Sequence, residues 1–155
     1  ILLFSTIIWR FSSNCNIMRM TSTTLAVVTL RNSDFLKSFI VADIPGIIEG
    51  ASEGKGLGIR FLRHIERNSI LLFLIPFDSN IKNEYQLLSN ELKKYNKKLL
   101  EKKIIVAISK CDLAPKERID KIDFKSKYPV IKISSITNLG LIELKDCIWK
   151  EINSK

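Results

Sequence analysis

The chain has 155 residues, 46% of them hydrophobic and 26% charged, enough to close one core and too apolar for a disordered or fibrous chain. Its formal net charge of +9 points to an anionic partner, nucleic acid or a membrane surface, unless Lys-rich helix faces merely solvate the protein. Three scattered cysteines, Cys15, Cys111 and Cys147, and one histidine, His64, exclude a disulfide framework, a zinc cluster and any site needing two imidazoles, and fit a reducing, cytoplasmic compartment.

The opening ILLFSTIIW, followed by Arg10, is too short to span a bilayer, which takes roughly 20 apolar residues. Its charge follows the apolar run, where a signal peptide would carry charge ahead of it. It reads as a buried strand or as unstructured sequence, and membrane attachment is the weakest of the functional readings. The sequence starts at Ile1 without an initiator Met, which reads as a fragment or an incomplete reading frame.

Beyond residue 20 strands and helices alternate. Residues 25–31 and 36–42 are β-branched and aromatic-rich and flank Asn32-Ser33-Asp34, predicting an antiparallel hairpin. A Gly-rich loop over residues 45–58 leads to a helix over 59–68. SILLFLIPF then reads as a central parallel strand, because its apolar run is unbroken. Residues 82–100 predict one helix, with Tyr85, Leu88, Leu92, Tyr95 and Leu99 on one stripe and lysines opposite. KKIIVAISK is a second buried strand, Pro115 opens a short helix, PVIKISS is the last strand and LIELKDCIWKEI a closing amphipathic helix. The pattern predicts an α/β domain with a mostly parallel sheet.

Such sheets bind ligands beyond the carboxyl ends of their strands, and three strand ends carry distinctive residues. Asp43-Ile44-Pro45-Gly46 offers a carboxylate for magnesium and an amide for a terminal phosphate. Ser109-Lys110-Cys111-Asp112 offers a carboxylate able to accept from guanine N1–H and the 2-amino group, a donor pair that adenine lacks. The Lys110 stem can lie along the base. Ser134-Ser135-Ile136-Thr137, followed by Asn138-Leu139-Gly140, supplies small residues whose amides can approach a purine O6. Each has a plainer reading as turn or cap chemistry; the order, one per strand end, favours a nucleotide site.

VADIPGIIEGASEGKGLGIRFLRHIERNSILLFLI, with SKCD and ISSITNLGLIELK, resembles the Obg family of ribosome-associated GTPases over residues 23–152. The resemblance implies a three-layer, P-loop-NTPase-like G domain over residues 21–155, with residues 1–20 an aberrant or truncated segment. It implies GTP and GDP binding, slow hydrolysis with Mg2+, and action in large ribosomal subunit assembly with rRNA contact by a cytoplasmic monomer. By the same resemblance Ser22, Thr23, Thr24, Leu25 and Ala26 form the first switch, with Thr24 and Asp43 as the metal-binding residues. Asp43, Ile44, Pro45 and Gly46 form the phosphate-sensing loop; Ser109, Lys110, Cys111 and Asp112 the base-specificity motif; Ser134, Ser135 and Ile136 the purine-supporting loop. No residue receives a catalytic role.

Three departures stand out. Ser109 replaces the family's usual Asn, and a hydroxyl cannot supply both an amide donor and an acceptor. Ile47 stands where many GTPases orient water with Gln, a habit of this family that implies slow hydrolysis. Residues 1–22 contain no G-x-x-x-x-G-K-[ST], where the family has its first strand and phosphate loop, so that element is expected to be missing or replaced. Gly50 to Gly56 is a near miss that reads as a flexible switch loop. A nucleotide-independent ribosome- or RNA-binding remnant is the alternative function. His64 reads as a packing or surface residue. The lysines at 93, 94, 97, 98, 102 and 103 are either a solvated face or an RNA-phosphate contact.

Overall fold

The computed structural model describes residues 8–10, 24–31, 38–44 and 70–154. Six strands form one sheet: β1 (Ile8–Arg10), β2 (Thr24–Arg31), β3 (Ser38–Ile44), β4 (Ile70–Pro76), β5 (Lys103–Ser109) and β6 (Val130–Lys132). Their order is β1-β3-β2-β4-β5-β6. The helices are α1 (Ile81–Tyr95), α2 (Lys116–Asp120) and α3 (Leu141–Asn153), with 3-10 turns at Lys97–Glu101 and Cys111–Leu113.

β4 and β5 form the centre because alternation along them feeds two separate cores. Leu71, Phe73 and Ile75 pack with Leu88 and Leu92 of α1 on one face. Ile70, Leu72 and Leu74 pack with Leu141, Leu144 and Ile148 of α3 on the other. Each fully buried Leu, Ile or Phe contributes about 1.5–3 kcal/mol, so a strand buried on both faces must be apolar throughout, as β4 is. The result is the three-layer α/β arrangement expected from the sequence.

Strand direction is mostly uniform: β3, β4, β5 and β6 run one way, β1 and β2 the other. β2 and β3 form the expected hairpin, pairing from Leu25 opposite Ile44 to Arg31 opposite Ser38. A short link between neighbouring strands permits only antiparallel pairing, so β2 meets β4 antiparallel as well. The run expected to be a central parallel strand is therefore parallel on its β5 side only. Within the opening apolar stretch, residues 8–10 form the edge strand β1 along β3.

The helix expected over residues 82–100 breaks at Asn96. That residue is extended (φ −157°, ψ 113°), and its Oδ1 accepts from the Lys98 amide to start the 3-10 turn. A side chain that bonds its own backbone competes with helix continuation. The Pro115-opened helix and the closing helix form as expected. Gly50, Gly56, His64 and the helix over 59–68 lie outside the described residues.

Candidate nucleotide site

The four strands that run together all end at one edge of the sheet, and antiparallel β2 begins there. Thr24 pairs with Leu74 near the end of β4, and Ala26 faces Asp43 near the end of β3. Pro76 pairs with Ser109, and Ile108 with Lys132. Backbone topology thus brings Thr24, Leu25, Ala26, Asp43 and Ile44 to the same edge as the two downstream motifs. Ser22, Thr23, Pro45 and Gly46 lie outside the described residues.

After β5 the chain turns sharply. Lys110 adopts the left-handed conformation (φ 59°, ψ 31°), and the Cys111 amide donates to the Ile133 carbonyl at 3.1 Å. These two features tip Asp112 toward the loop that follows β6. The Phe77 amide donates to the Ser109 carbonyl at 2.9 Å and fixes the neighbouring strand end. Lys110 Nζ lies 3.3 Å from Asp78 Oδ2, so its stem reaches from the end of β5 across to the end of β4.

Ser134 organises the second loop. Fully buried, it donates its hydroxyl proton to Asp112 Oδ1 at 2.6 Å. The same oxygen accepts from the amides of Ile136 at 3.2 Å and Thr137 at 3.1 Å, and the Ser134 amide donates to the Leu139 carbonyl at 3.0 Å. Donor and acceptor capacity of the hydroxyl is used up, and a short bond to a carboxylate is of the stronger kind. Asn138 (φ 61°) and Gly140 (φ 66°) close the loop into α3. A Cβ at Gly140 would stand 2.0 Å from the Lys132 carbonyl oxygen, so only glycine fits there. Asp112, Thr137, Gly140, Lys132 and Glu143 share the lining of a cavity of ≈ 550 Å³.

Two neighbours complete the local electrostatics. Burial is the first cause that pushes the Cys111 thiol above the ordinary value of 9.0, partly offset by the Ile133 backbone bond and Lys132. The thiol is neutral and closed off by the 3.3 Å bond from Sγ to the Ile108 carbonyl. Ser109 is only 8% exposed, and its Oγ has no hydrogen-bond partner.

The structure joins Lys110, Asp112 and Ser134 in one constellation, with Ser135 half-buried and Ile136 exposed beside it. The Cys111 side chain is buried in packing. Asp78 and the bond from the Thr137 amide to Ser134 Oγ were missed by the sequence reading. Asp78 carried a signal, an acidic residue just past a buried strand, whereas the Thr137 bond depends on a loop conformation that spacing does not reveal. Among the described residues no three His, Cys, Asp or Glu side chains gather as a metal cluster. Magnesium on a nucleotide takes only one or two protein oxygens beside phosphates and water, and a hydroxyl and a carboxylate, Thr24 and Asp43, are the right donor types.

Comparison with known proteins places these features in context. A model of the 50S ribosome-binding GTPase family matches residues 3–110. The chain is similar to GTPase Obg of Parabacteroides distasonis, with 54% identity over 134 residues covering 84% of this chain and 34% of that protein. It is also similar to GTPase Obg of Bacteroides thetaiotaomicron (51% identity, 84% and 34% covered) and of Cytophaga hutchinsonii (57% identity, 83% and 38% covered). The chain thus spans about a third of the length of the curated relatives it matches.

Proposed function

This chain belongs to the Obg family of 50S ribosome-binding GTPases, and from that premise we propose that it is a guanine-nucleotide-binding unit whose nucleotide state is coupled to large-subunit assembly. The observation that carries the reading is the Ser134 hydroxyl on Asp112 Oδ1 at 2.6 Å. One carboxylate oxygen is anchored by a buried hydroxyl, and Asp112 borders a cavity of ≈ 550 Å³ whose lining does not include Lys110 or residues 134–136. A fixed carboxylate of this kind selects a base presenting two adjacent N–H donors, because a base without them would leave a charge unpaired.

In this reading Lys110 lays its stem along the base, tethered by Asp78, and the amides of residues 134–136 serve the purine oxygen. Thr24 and Asp43 would hold Mg2+, which supplies charge neutralisation to the phosphates, and Gly46 would sense the terminal phosphate. Ile47 orients no water, so hydrolysis is slow. Residues 21–155 form the G domain, acting as a monomer in the cytoplasm with GTP, GDP and the large subunit as partners.

A second reading rests on a separate observation, the absence of G-x-x-x-x-G-K-[ST] from residues 1–22. Without an amide cradle and its Lys most triphosphate affinity goes, and these 155 residues taken by themselves, whatever precedes them, would act as a ribosome- or RNA-binding module that does not hydrolyse nucleotide. Calorimetry distinguishes the two. For the GTP-binding unit, the chain itself binds GTP no better than millimolar, and replacing residues 1–20 with an Obg-type strand and phosphate loop brings micromolar, magnesium-dependent binding. No GTP binding after the graft would leave only the second reading.

A further inference from the structure

Two stretches of the chain are rich in lysine and poor in acids. Residues 93–103 and 121–128 hold nine lysines against two acids, Glu101 and Asp123, within a chain whose whole net charge is +9. Distant in sequence, the two segments are neighbours in space. They precede β5 and β6, adjacent parallel strands, and the second runs from beside Asp120, on the lining of the Asp112 cavity, to Tyr128 at the opposite sheet edge. The Tyr128 hydroxyl ties them together by donating to the Leu100 carbonyl at 3.1 Å. Tyr85 and Phe124 meet edge-to-face with ring centroids 5.3 Å apart, which packs the second segment against α1.

The lysines of this edge do different jobs. Lys103 donates to the carbonyls of Glu151 and Ser154 and to Ser154 Oγ, so it ties β5 to the end of α3. Lys94 pairs with Glu91 at 2.8 Å. Lys93, Lys97, Lys98 and Lys125 are exposed, and Lys127 Nζ stands 4.7 Å over the Tyr128 ring.

We propose that Lys97, Lys98, Lys125 and Lys127, exposed on the two segments that the Tyr128–Leu100 bond joins, form a contact surface for the phosphate backbone of RNA. Charge complementarity argues for a polyanion. A bilayer would need apolar anchors among the charges. The exposed large hydrophobics among the described residues are Leu87, Leu113, Ile136, Leu139 and Ile142, and none lies in either segment. Lysine ammonium groups are point charges on flexible stems, suited to phosphates and not to reading a base sequence.

The test is fluorescence anisotropy of a labelled 20-base-pair RNA duplex with the intact chain, without nucleotide, over a salt series. The outcome is therefore independent of the guanine reading. Each phosphate contact adds about 0.7–0.9 to the log–log salt slope. The K97Q/K98Q/K125Q/K127Q variant is expected to flatten the slope by roughly 3, while K82Q/K116Q/R118Q, removing three charges elsewhere, leaves it nearly unchanged. Equal flattening in both variants, or none in the first, overturns the proposal. Acetylation mapping of the unmodified chain is independent of mutant folding: RNA should protect the four lysines, and unchanged acetylation refutes the contact. Loss of binding to phosphatidylserine vesicles in place of RNA would assign the surface to a membrane and equally overturn it.

Discussion

Ser109 buries a hydroxyl that finds no hydrogen-bond partner, and an unmet buried polar group costs about 1–3 kcal/mol. Ser109→Ala should therefore stabilise the chain by roughly 1 kcal/mol, raising the urea midpoint at constant slope; a lowered midpoint would mean the hydroxyl is bonded in solution. Cys111 beside it makes the opposite use of burial, which holds its thiol protonated above 9.0. A raised folded pKa contributes stability that is present below the unfolded value and is lost as pH rises through the folded one. Native chain should resist iodoacetamide at Cys111 at pH 8, and stability should fall above pH 9. Rapid alkylation at pH 8, located by mass spectrometry, would contradict the burial. Asp112 and Ser134 were legible from sequence because strand-end position and residue chemistry coincided. Their 2.6 Å bond was not, since it requires the left-handed turn at Lys110.

Among the elements, the two central strands and both long helices follow from hydrophobic period alone, because a run buried on both faces has few other ways to fold. The break at Asn96 did not, since apolar spacing continues through Leu99 while a local side-chain bond decides the backbone. Gly140 shows the same limit at the entry to α3. Gly140→Ala sets a Cβ against the Lys132 carbonyl at a positive φ. It should destabilise by about 2–4 kcal/mol, read from urea unfolding; a loss below 0.5 kcal/mol would show that the loop relaxes freely. Lys103 links β5 to the C-terminal carbonyls of α3, where a cation complements the helix dipole. Lys103→Gln should lower stability by about 1 kcal/mol, as measured by thermal unfolding. An unchanged midpoint would return Lys103 to the set of solvated lysines.

At the scale of the whole molecule, one sheet separates two kinds of chemistry. The edge where β3 to β6 end carries Asp112 and its loop; the opposite edge carries the lysines on either side of the Tyr128–Leu100 bond. A ligand at one edge and a polyanion at the other need not compete. The composition announced an anionic partner, but the pairing of residues 93–103 with 121–128 became visible only when β6 settled parallel to β5. The central claim is that Asp112 reads guanine. It is tested most directly by competition between GTP and xanthosine triphosphate in the chain carrying an Obg-type phosphate loop. Asp112→Asn keeps an acceptor for the Ser134 hydroxyl and offers an amide donor to the 2-oxo group of xanthine. Preference should swing toward xanthosine triphosphate by on the order of 2–4 kcal/mol, a charged hydrogen-bond pair's worth. An unchanged preference for GTP would contradict the account.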